Sequence, residues 1–85
     1  MAELLKVQKF AVDDIYVPTK RRTTLDQKKV DEIAESMLAS GQTTPIMVRA
    51  DGNRFVLVEG LHRLEACKAL GEKTIAGILV HARRS

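Results

Sequence analysis

Residues 55–70 read Phe-Val-Leu-Val-Glu-Gly-Leu-His-Arg-Leu-Glu-Ala-Cys-Lys-Ala-Leu, and this stretch decides the fold. Residues 55–58 are apolar on both faces, which is typical of a strand covered by helices. From Gly60 onward the apolar side chains recur at helical spacing until Gly71, a residue type that commonly ends helices in the left-handed conformation. The stretch therefore predicts a buried strand, a glycine turn and an amphipathic helix.

A hairpin is predicted immediately before this unit. Pro45 is tolerated at the first residue of a strand, and residues 46–50 alternate apolar with more mixed positions. Asp51-Gly52-Asn53 is a strong turn signal, after which residues 54–59 form the partner strand.

A helix over residues 25–39 is predicted upstream of the hairpin. Thr24 and Gln27 have the spacing of a capping box, and apolar residues then recur along one helical face. Gly41 is placed to end this helix.

The two ends of the chain predict the outer strands. Residues 5–12 suit a first strand, followed by an extended connection to Pro18 and a basic loop. Residues 74–80 suit a last strand, in which Gly77 indicates a bulge or a close backbone approach. The order β-α-β-β-α-β predicts one α+β domain over residues 1–85.

Composition limits the classes of protein. With 85 residues and 45% hydrophobic side chains, the chain is long enough for one core. Its longest apolar run, residues 75–80, is far below the roughly 18–20 residues of a membrane span, so no membrane partner is expected. The single cysteine, Cys67, cannot form an internal disulfide and cannot by itself make a tetrahedral zinc site, and we expect it to pack as a small hydrophobe in a cytoplasmic protein.

The turn after the buried strand carries the clearest chemistry. The first amides of a helix attract phosphate or carboxylate, and Gly60 lets backbone approach such an anion closely. Arg63 can bind two phosphate oxygens, while His62 can donate a hydrogen bond or move a proton. Glu59 would orient these side chains or hold Mg²⁺. The alternative is structural, with a Glu59–Arg63 salt bridge and His62 capping the helix.

Two other groups of residues are candidates for binding. Net charge is +3, and the cations cluster at Lys20, Arg21, Arg22, Lys28 and Lys29, as expected for DNA phosphates or for a solvated basic face. Arg21 and Arg22 would close over the same anion if their loop folds toward Gly60. The second group is Gln42, Thr43 and Thr44. Their polar side chains could bind a base edge or a ribose, but they are equally typical of a loop that connects a helix to a strand.

The order and spacing of these pieces resemble the ParB N-terminal domain. The resemblance extends over nearly the whole chain and rests on Pro18…Arg22…Leu25-Asp26, the helix ending at Gly41, the segment Pro45-Ile46-Met47-Val48-Arg49, and Gly60-Leu61-His62-Arg63 with its helix. It implies the ParB/sulfiredoxin fold, a small mixed sheet with two main helices.

The resemblance also implies a nucleotide site, with CTP and Mg²⁺ in ParB proteins. Matched by position, residues 60–63 would bind phosphate, Arg21 or Arg22 would supply the loop arginine, and residues 42–45 would flank the nucleotide. ParB proteins usually have Gly-Glu-Arg-Arg at the turn, whereas this chain places its acid before the glycine, at Glu59. Sulfiredoxins carry a reactive cysteine where this chain has Leu61, so that activity is excluded.

Three functions follow as hypotheses. The first is a stand-alone module, without a helix-turn-helix, that binds CTP or ATP/ADP with Mg²⁺ and acts with DNA or a DNA-bound protein; a homodimer is left open. The second is an enzyme of the same fold, a nuclease or a small-molecule kinase like the ADP-dependent serine kinases, with Glu59, Asp26 or His62 as general base. The third is a nucleotide-independent DNA-binding module.

Overall fold

A five-stranded mixed sheet organises the chain, which is described as a computed structural model over residues 6–42 and 44–81. The strands are β1 Val7–Ala11, β2 Ile15–Tyr16, β3 Ile46–Asp51, β4 Arg54–Glu59 and β5 Thr74–Leu79, and the helices are α1 Thr19–Arg22, α2 Gln27–Ser40 and α3 Leu61–Ala69. A 3-10 turn, Val12–Asp14, separates the first two strands.

The spatial order of the strands is β1-β5-β3-β4-β2. β1 pairs antiparallel with β5 and β3 with β4, whereas β3 pairs parallel with β5 and β2 with β4. A parallel pair needs a crossover connection, and for β3 and β5 this connection runs through β4 and α3. Because β3 is the middle strand, α3 packs over the centre of the sheet and against α2. The predicted α+β class is confirmed.

The core lies between the sheet and the helices. Phe10 and Phe55 meet edge to face with ring centroids 4.9 Å apart. Gly77 allows this arrangement, since a Cβ there would lie 3.0 Å from the Phe10 ring, which confirms the predicted close approach. The largest fully buried side chains are those of Ile46, Val48, Leu57, Leu64, Cys67 and Ile75.

The predicted glycine turns are confirmed. Gly52 has φ 62° in the β3–β4 hairpin. Gly41 ends α2 as predicted, but with φ 75° and ψ −175° it does not adopt the left-handed helical conformation expected for it. Gly71 has φ 76°, and its amide and that of Glu72 donate to the Lys68 and Cys67 carbonyls. This pair of bonds satisfies the last carbonyls of α3 in the Schellman pattern.

The segment before α2 differs from its prediction. It contains the short helix α1 where a loop was predicted, and the Thr24 hydroxyl donates to the Arg21 carbonyl at the end of that helix. Thr24 therefore does not cap α2. The cap is Asp26, whose carboxylate accepts a hydrogen bond from the Lys28 amide at 3.0 Å, and α2 begins at Gln27.

The outer parts of the sheet also differ in detail. Of the predicted strand over residues 5–12, β1 covers 7–11, Val12 starts the 3-10 turn, and residue 5 lies outside the described residues. The extended segment before Pro18 contains β2, whose pairing with β4 extends the sheet beyond the hairpin. In the described part of the chain, no helix is both long and apolar enough to cross a membrane.

Replacing Gly60 by alanine should destabilise the domain more than the same change at Gly71. Both residues have positive φ, at 109° and 76°, which costs a side chain about 1–2 kcal/mol. At Gly60 the new Cβ would also lie 2.6 Å from Ile46 Cγ2, whereas nothing lies within 4 Å at Gly71. Overpacking should add about 1–3 kcal/mol for Gly60→Ala, measurable by urea unfolding. Equal losses in the two variants would contradict the Ile46 contact.

Candidate functional site

The candidate site is built around the first turn of α3. Gly60 is the N-cap residue, with φ 109° and ψ 34°, and offers no side chain to the amides that follow. The first helical bond runs from the Leu64 amide to the Gly60 carbonyl at 2.9 Å. The amides of residues 61–63 therefore lie at the positive end of α3 without intrahelical partners, an arrangement that attracts anions.

A cavity of about 260 Å³ opens at this turn. Arg21 of α1 lines it together with the turn, so the first arginine of the basic segment and Gly60 border the same cavity. Arg22 does not line it, because it lies one residue further round α1 and is exposed. The full lining consists of Arg21, Thr24, Ile33, Glu59, Gly60, Leu61, His62 and Arg63.

The charges around the cavity favour an anion. Arg21 and Arg63 are half-buried in its wall, and Glu59 is the one carboxylate of the lining. Among residues 6–42 and 44–81 the ion pairs are Arg54–Asp51 and Lys68–Glu65, so the Glu59–Arg63 bridge offered as an alternative is absent there. Two guanidinium groups without carboxylate partners can bind phosphate oxygens in bidentate fashion.

His62 is held by the other helix. Its Nε2 accepts a hydrogen bond from the Asp26 amide at 3.0 Å. The structural alternative predicted that His62 caps a helix start, and the ring does so, for α2 rather than for its own helix α3. Spacing could not show this contact, because the two residues are 36 positions apart in sequence.

Gln42 and Thr44 lie away from this cavity. The Gln42 amide nitrogen donates to the carbonyls of Thr44 and Ala76, and its oxygen accepts the Ala76 amide at 2.7 Å. Gln42 lines a separate cavity of about 500 Å³, while Thr44 is exposed and lines neither. The structure thus gives Gln42 a backbone-clamping role, and Thr43 lies outside the described residues.

The other predicted cations surround the first turns of α1 and α2. Lys20 and Arg22 are exposed on α1, and Lys28 and Lys29 are exposed in the first turn of α2. No group of three His, Cys, Asp or Glu side chains that could hold a metal occurs within residues 6–42 and 44–81. A divalent ion at this site would need further oxygen ligands from a bound phosphate.

Comparison with known sequences identifies the family to which the chain belongs. The chain matches the ParB N-terminal domain over residues 2–85. It is 40% identical over 62 residues to the probable chromosome-partitioning protein ParB of Campylobacter jejuni, covering 73% of this chain and 22% of that protein. A nucleoid occlusion protein of Geobacillus kaustophilus is 39% identical over 59 residues, covering 68% of this chain and 21% of that protein. The chain thus spans about a fifth of their length.

Solved structures share the fold. Sulfiredoxin from Arabidopsis thaliana superposes with TM-score 0.81 at 28% identity, covering 91% of this chain and 86% of that one. Truncated ParB from Caulobacter crescentus, complexed with CTP-γ-S, superposes with TM-score 0.75 at 19% identity, covering 94% of this chain and 46% of that one. A free serine kinase variant in complex with ADP superposes with TM-score 0.75 at 21% identity, covering 87% of this chain and 30% of that one. The chain therefore has the ParB/sulfiredoxin fold.

The cysteine of this chain is not placed for chemistry at the turn. Cys67 is 1% exposed in α3, where it packs in the hydrophobic core as predicted. Burial, with a smaller contribution from Glu72, raises the pKa of the thiol above its ordinary 9.0, against the opposing effect of Arg63. A thiol with a raised pKa is a poor nucleophile.

The buried Cys67 thiol should make stability fall at high pH. The unfolded thiol loses its proton near pH 9.0 while the folded thiol keeps it, so the free energy of unfolding decreases as pH rises beyond that value. Urea unfolding from pH 7 to 10 should show a steeper decline for the wild-type protein than for Cys67→Ala, which is less stable at neutral pH but lacks the titrating group. Parallel pH profiles would contradict the raised pKa.

Proposed function

Because the chain belongs to the ParB N-terminal domain family, we propose that it binds a nucleotide through its phosphates at the turn of residues 60–63. The convergence of Arg21, His62 and Arg63 on the amino end of α3 carries this proposal. Helix amides, a bidentate guanidinium group and an imidazole are a donor set that matches phosphate oxygens.

The size of the cavity limits which part of the ligand enters it. Pockets that bury a whole drug-sized ligand measure roughly 300–1,000 Å³. The cavity at the turn is about 260 Å³, so it suits a phosphate chain and leaves the ribose and base near its mouth. The nucleotide classes to test are CTP and ATP or ADP, since CTP-γ-S and ADP are the ligands of the ParB and serine kinase structures that share the fold.

Glu59 is suited to accompany a magnesium nucleotide. Mg²⁺ keeps several waters and is commonly bound through one or two carboxylates plus substrate phosphates. Glu59 is exposed, lines the cavity and has no ion-pair partner in the described part of the chain. In that arrangement Glu59 would hold the ion on the protein side, and the positive charge of the ion would offset the repulsion between Glu59 and the phosphates.

Arg63→Ala and Arg21→Ala should weaken nucleotide binding, and Arg22→Ala should not. A hydrogen bond to a charged group contributes about 1.5–3 kcal/mol, so each cavity arginine should change Kd by roughly tenfold to a hundredfold. Arg22 is the matched control because it lies beside Arg21 on α1 but outside the cavity. Calorimetric titration with CTP, ATP and ADP, with and without Mg²⁺, measures this.

Absence of binding by the wild-type protein at millimolar concentration of every nucleotide would refute the proposed function. Equal weakening in Arg22→Ala would instead show that the general positive field, and not the cavity, attracts the ligand. Restoration of affinity in Arg63→Lys would indicate a point charge in place of bidentate contact.

A second candidate function is binding of DNA phosphates by Lys20, Arg22, Lys28 and Lys29. One observation favours it: Lys28 and Lys29 occupy the first turn of α2, which has no acidic residue. Cations are unfavourable at this end of a helix by about 0.3–1 kcal/mol each. An external anion such as a DNA phosphate would offset this cost. The relationship to chromosome-partitioning proteins makes DNA, or a DNA-bound protein, the natural partner.

The double variant Lys28→Ala/Lys29→Ala should bind DNA more weakly without losing stability. The slope of log K against log[salt] should fall by about 0.9 for each phosphate that the variant no longer neutralises. Lys68→Ala/Lys73→Ala, which removes the same charge elsewhere, is the control and should keep the wild-type slope. Fluorescence anisotropy with duplex DNA at several salt concentrations tests this, and a flat salt response in the wild-type protein would rule out the DNA role.

A further inference from the structure

We propose that the two ring nitrogens of His62 have separate roles: Nε2 completes the cap of α2, and Nδ1–H donates to the bound phosphate. His62 is then a positioning and binding residue and not a general base. The donor role rests on the proposed phosphate site, whereas the capping role stands on the hydrogen bond between the two helices.

The Asp26 amide needs an acceptor that its own helix cannot supply. In a capping box, a Glu or Gln at the third helical position accepts the hydrogen bond of the N-cap amide. Here Asp26 is the N-cap, and the third residue of α2 is Lys29, whose side chain has no acceptor. His62 Nε2, at 3.0 Å, takes the place of that missing side chain from a different helix.

This hydrogen bond fixes the protonation of the ring. A backbone N–H only donates, so the Nε2 that faces it carries a lone pair, and the proton of the neutral imidazole is on Nδ1. Nδ1 makes no hydrogen bond to any described residue, while the His62 side chain lines the cavity beside Arg63. The ring is therefore presented to a phosphate as a neutral donor held in one orientation.

The same assignment narrows the choice of general base. A neutral imidazole with Nε2 occupied and Nδ1 protonated has no free lone pair to abstract a proton. The Asp26 carboxylate accepts the Lys28 amide, and Asp26 is not part of the cavity lining. Of the three acids and bases considered from the sequence, Glu59 alone has a proton acceptor at the cavity, so any hydrolysis or transfer there would depend on Glu59.

Two substitutions separate the roles of the nitrogens. In His62→Gln the amide oxygen can reach the position of Nε2 and keep the Asp26 bond, but the Nδ1 donor is lost. In His62→Asn the shorter amide can supply a donor near Nδ1 but cannot reach the Asp26 amide. We expect His62→Gln to keep slow hydrogen exchange at the Asp26 amide and to bind Mg²⁺-pyrophosphate about tenfold more weakly, as expected for one lost hydrogen bond.

His62→Asn should show the opposite pattern, with faster exchange at the Asp26 amide and pyrophosphate affinity nearer that of the wild-type protein. In the wild-type protein, long-range ¹H–¹⁵N spectra of the imidazole should show the Nδ1–H tautomer, and the Nδ1 resonance should shift on addition of Mg²⁺-pyrophosphate.

An Nε2–H tautomer, or unchanged Asp26 exchange in His62→Asn, would overturn the capping role. Wild-type pyrophosphate affinity in His62→Gln would overturn the donor role. If the wild-type protein binds neither pyrophosphate nor nucleotide, the proposed function fails and the donor role with it. The tautomer and the Asp26 exchange would still decide the capping role, so the two failures are distinguishable.

Discussion

The contact between Gly60 and Ile46 determines where the candidate site lies. Ile46 is 1% exposed in β3, the middle strand, and a Cβ at Gly60 would lie 2.6 Å from its Cγ2. Gly77 borders the same side chain, since a Cβ at Gly77 would lie 3.1 Å from Ile46 Cγ1, so Ile46 is enclosed by two glycines. The first amides of α3 are therefore positioned by the centre of the sheet and not by a loose loop, which reduces the ordering cost of binding a ligand.

The arginines of the chain differ in how they are neutralised. Arg54 on the hairpin pairs with Asp51 at 3.4 Å and stacks over the Tyr16 ring at 4.1 Å, so its charge has structural partners. Arg21 and Arg63 are more buried than Arg54 and have no ion pair within the described residues. Partly desolvated cations without partners are costly, and an anionic ligand would relieve that cost.

Local signals predicted the parts of the fold whose cause is local. The change of hydrophobic period at Gly60, the turn at Gly52 and the helix ends at Gly41 and Gly71 each depend on a few neighbouring residues. The start of α2 was predicted wrongly because Thr24 and Asp26 are both good caps, and the choice depends on α1. Which of Arg21 and Arg22 lines the cavity likewise depends on α1. The hydrogen bonds between His62 and Asp26 and between Gln42 and Ala76 could not be predicted, because each joins residues more than 30 positions apart.

These three long-range bonds hold α2 at both ends. Val30 is fully buried in this 14-residue helix, Ile33 and Met37 are half-buried, and Met37 packs against the hydrophobic core. His62 holds the Asp26 amide at its start, and Gln42, just after its end, clamps Ala76 of β5. Each bond adds a net contribution of about 0.5–1.5 kcal/mol to the packing of the helix. Since Ile33 of α2 lines the cavity at the turn, these bonds help to position a residue that borders the candidate site.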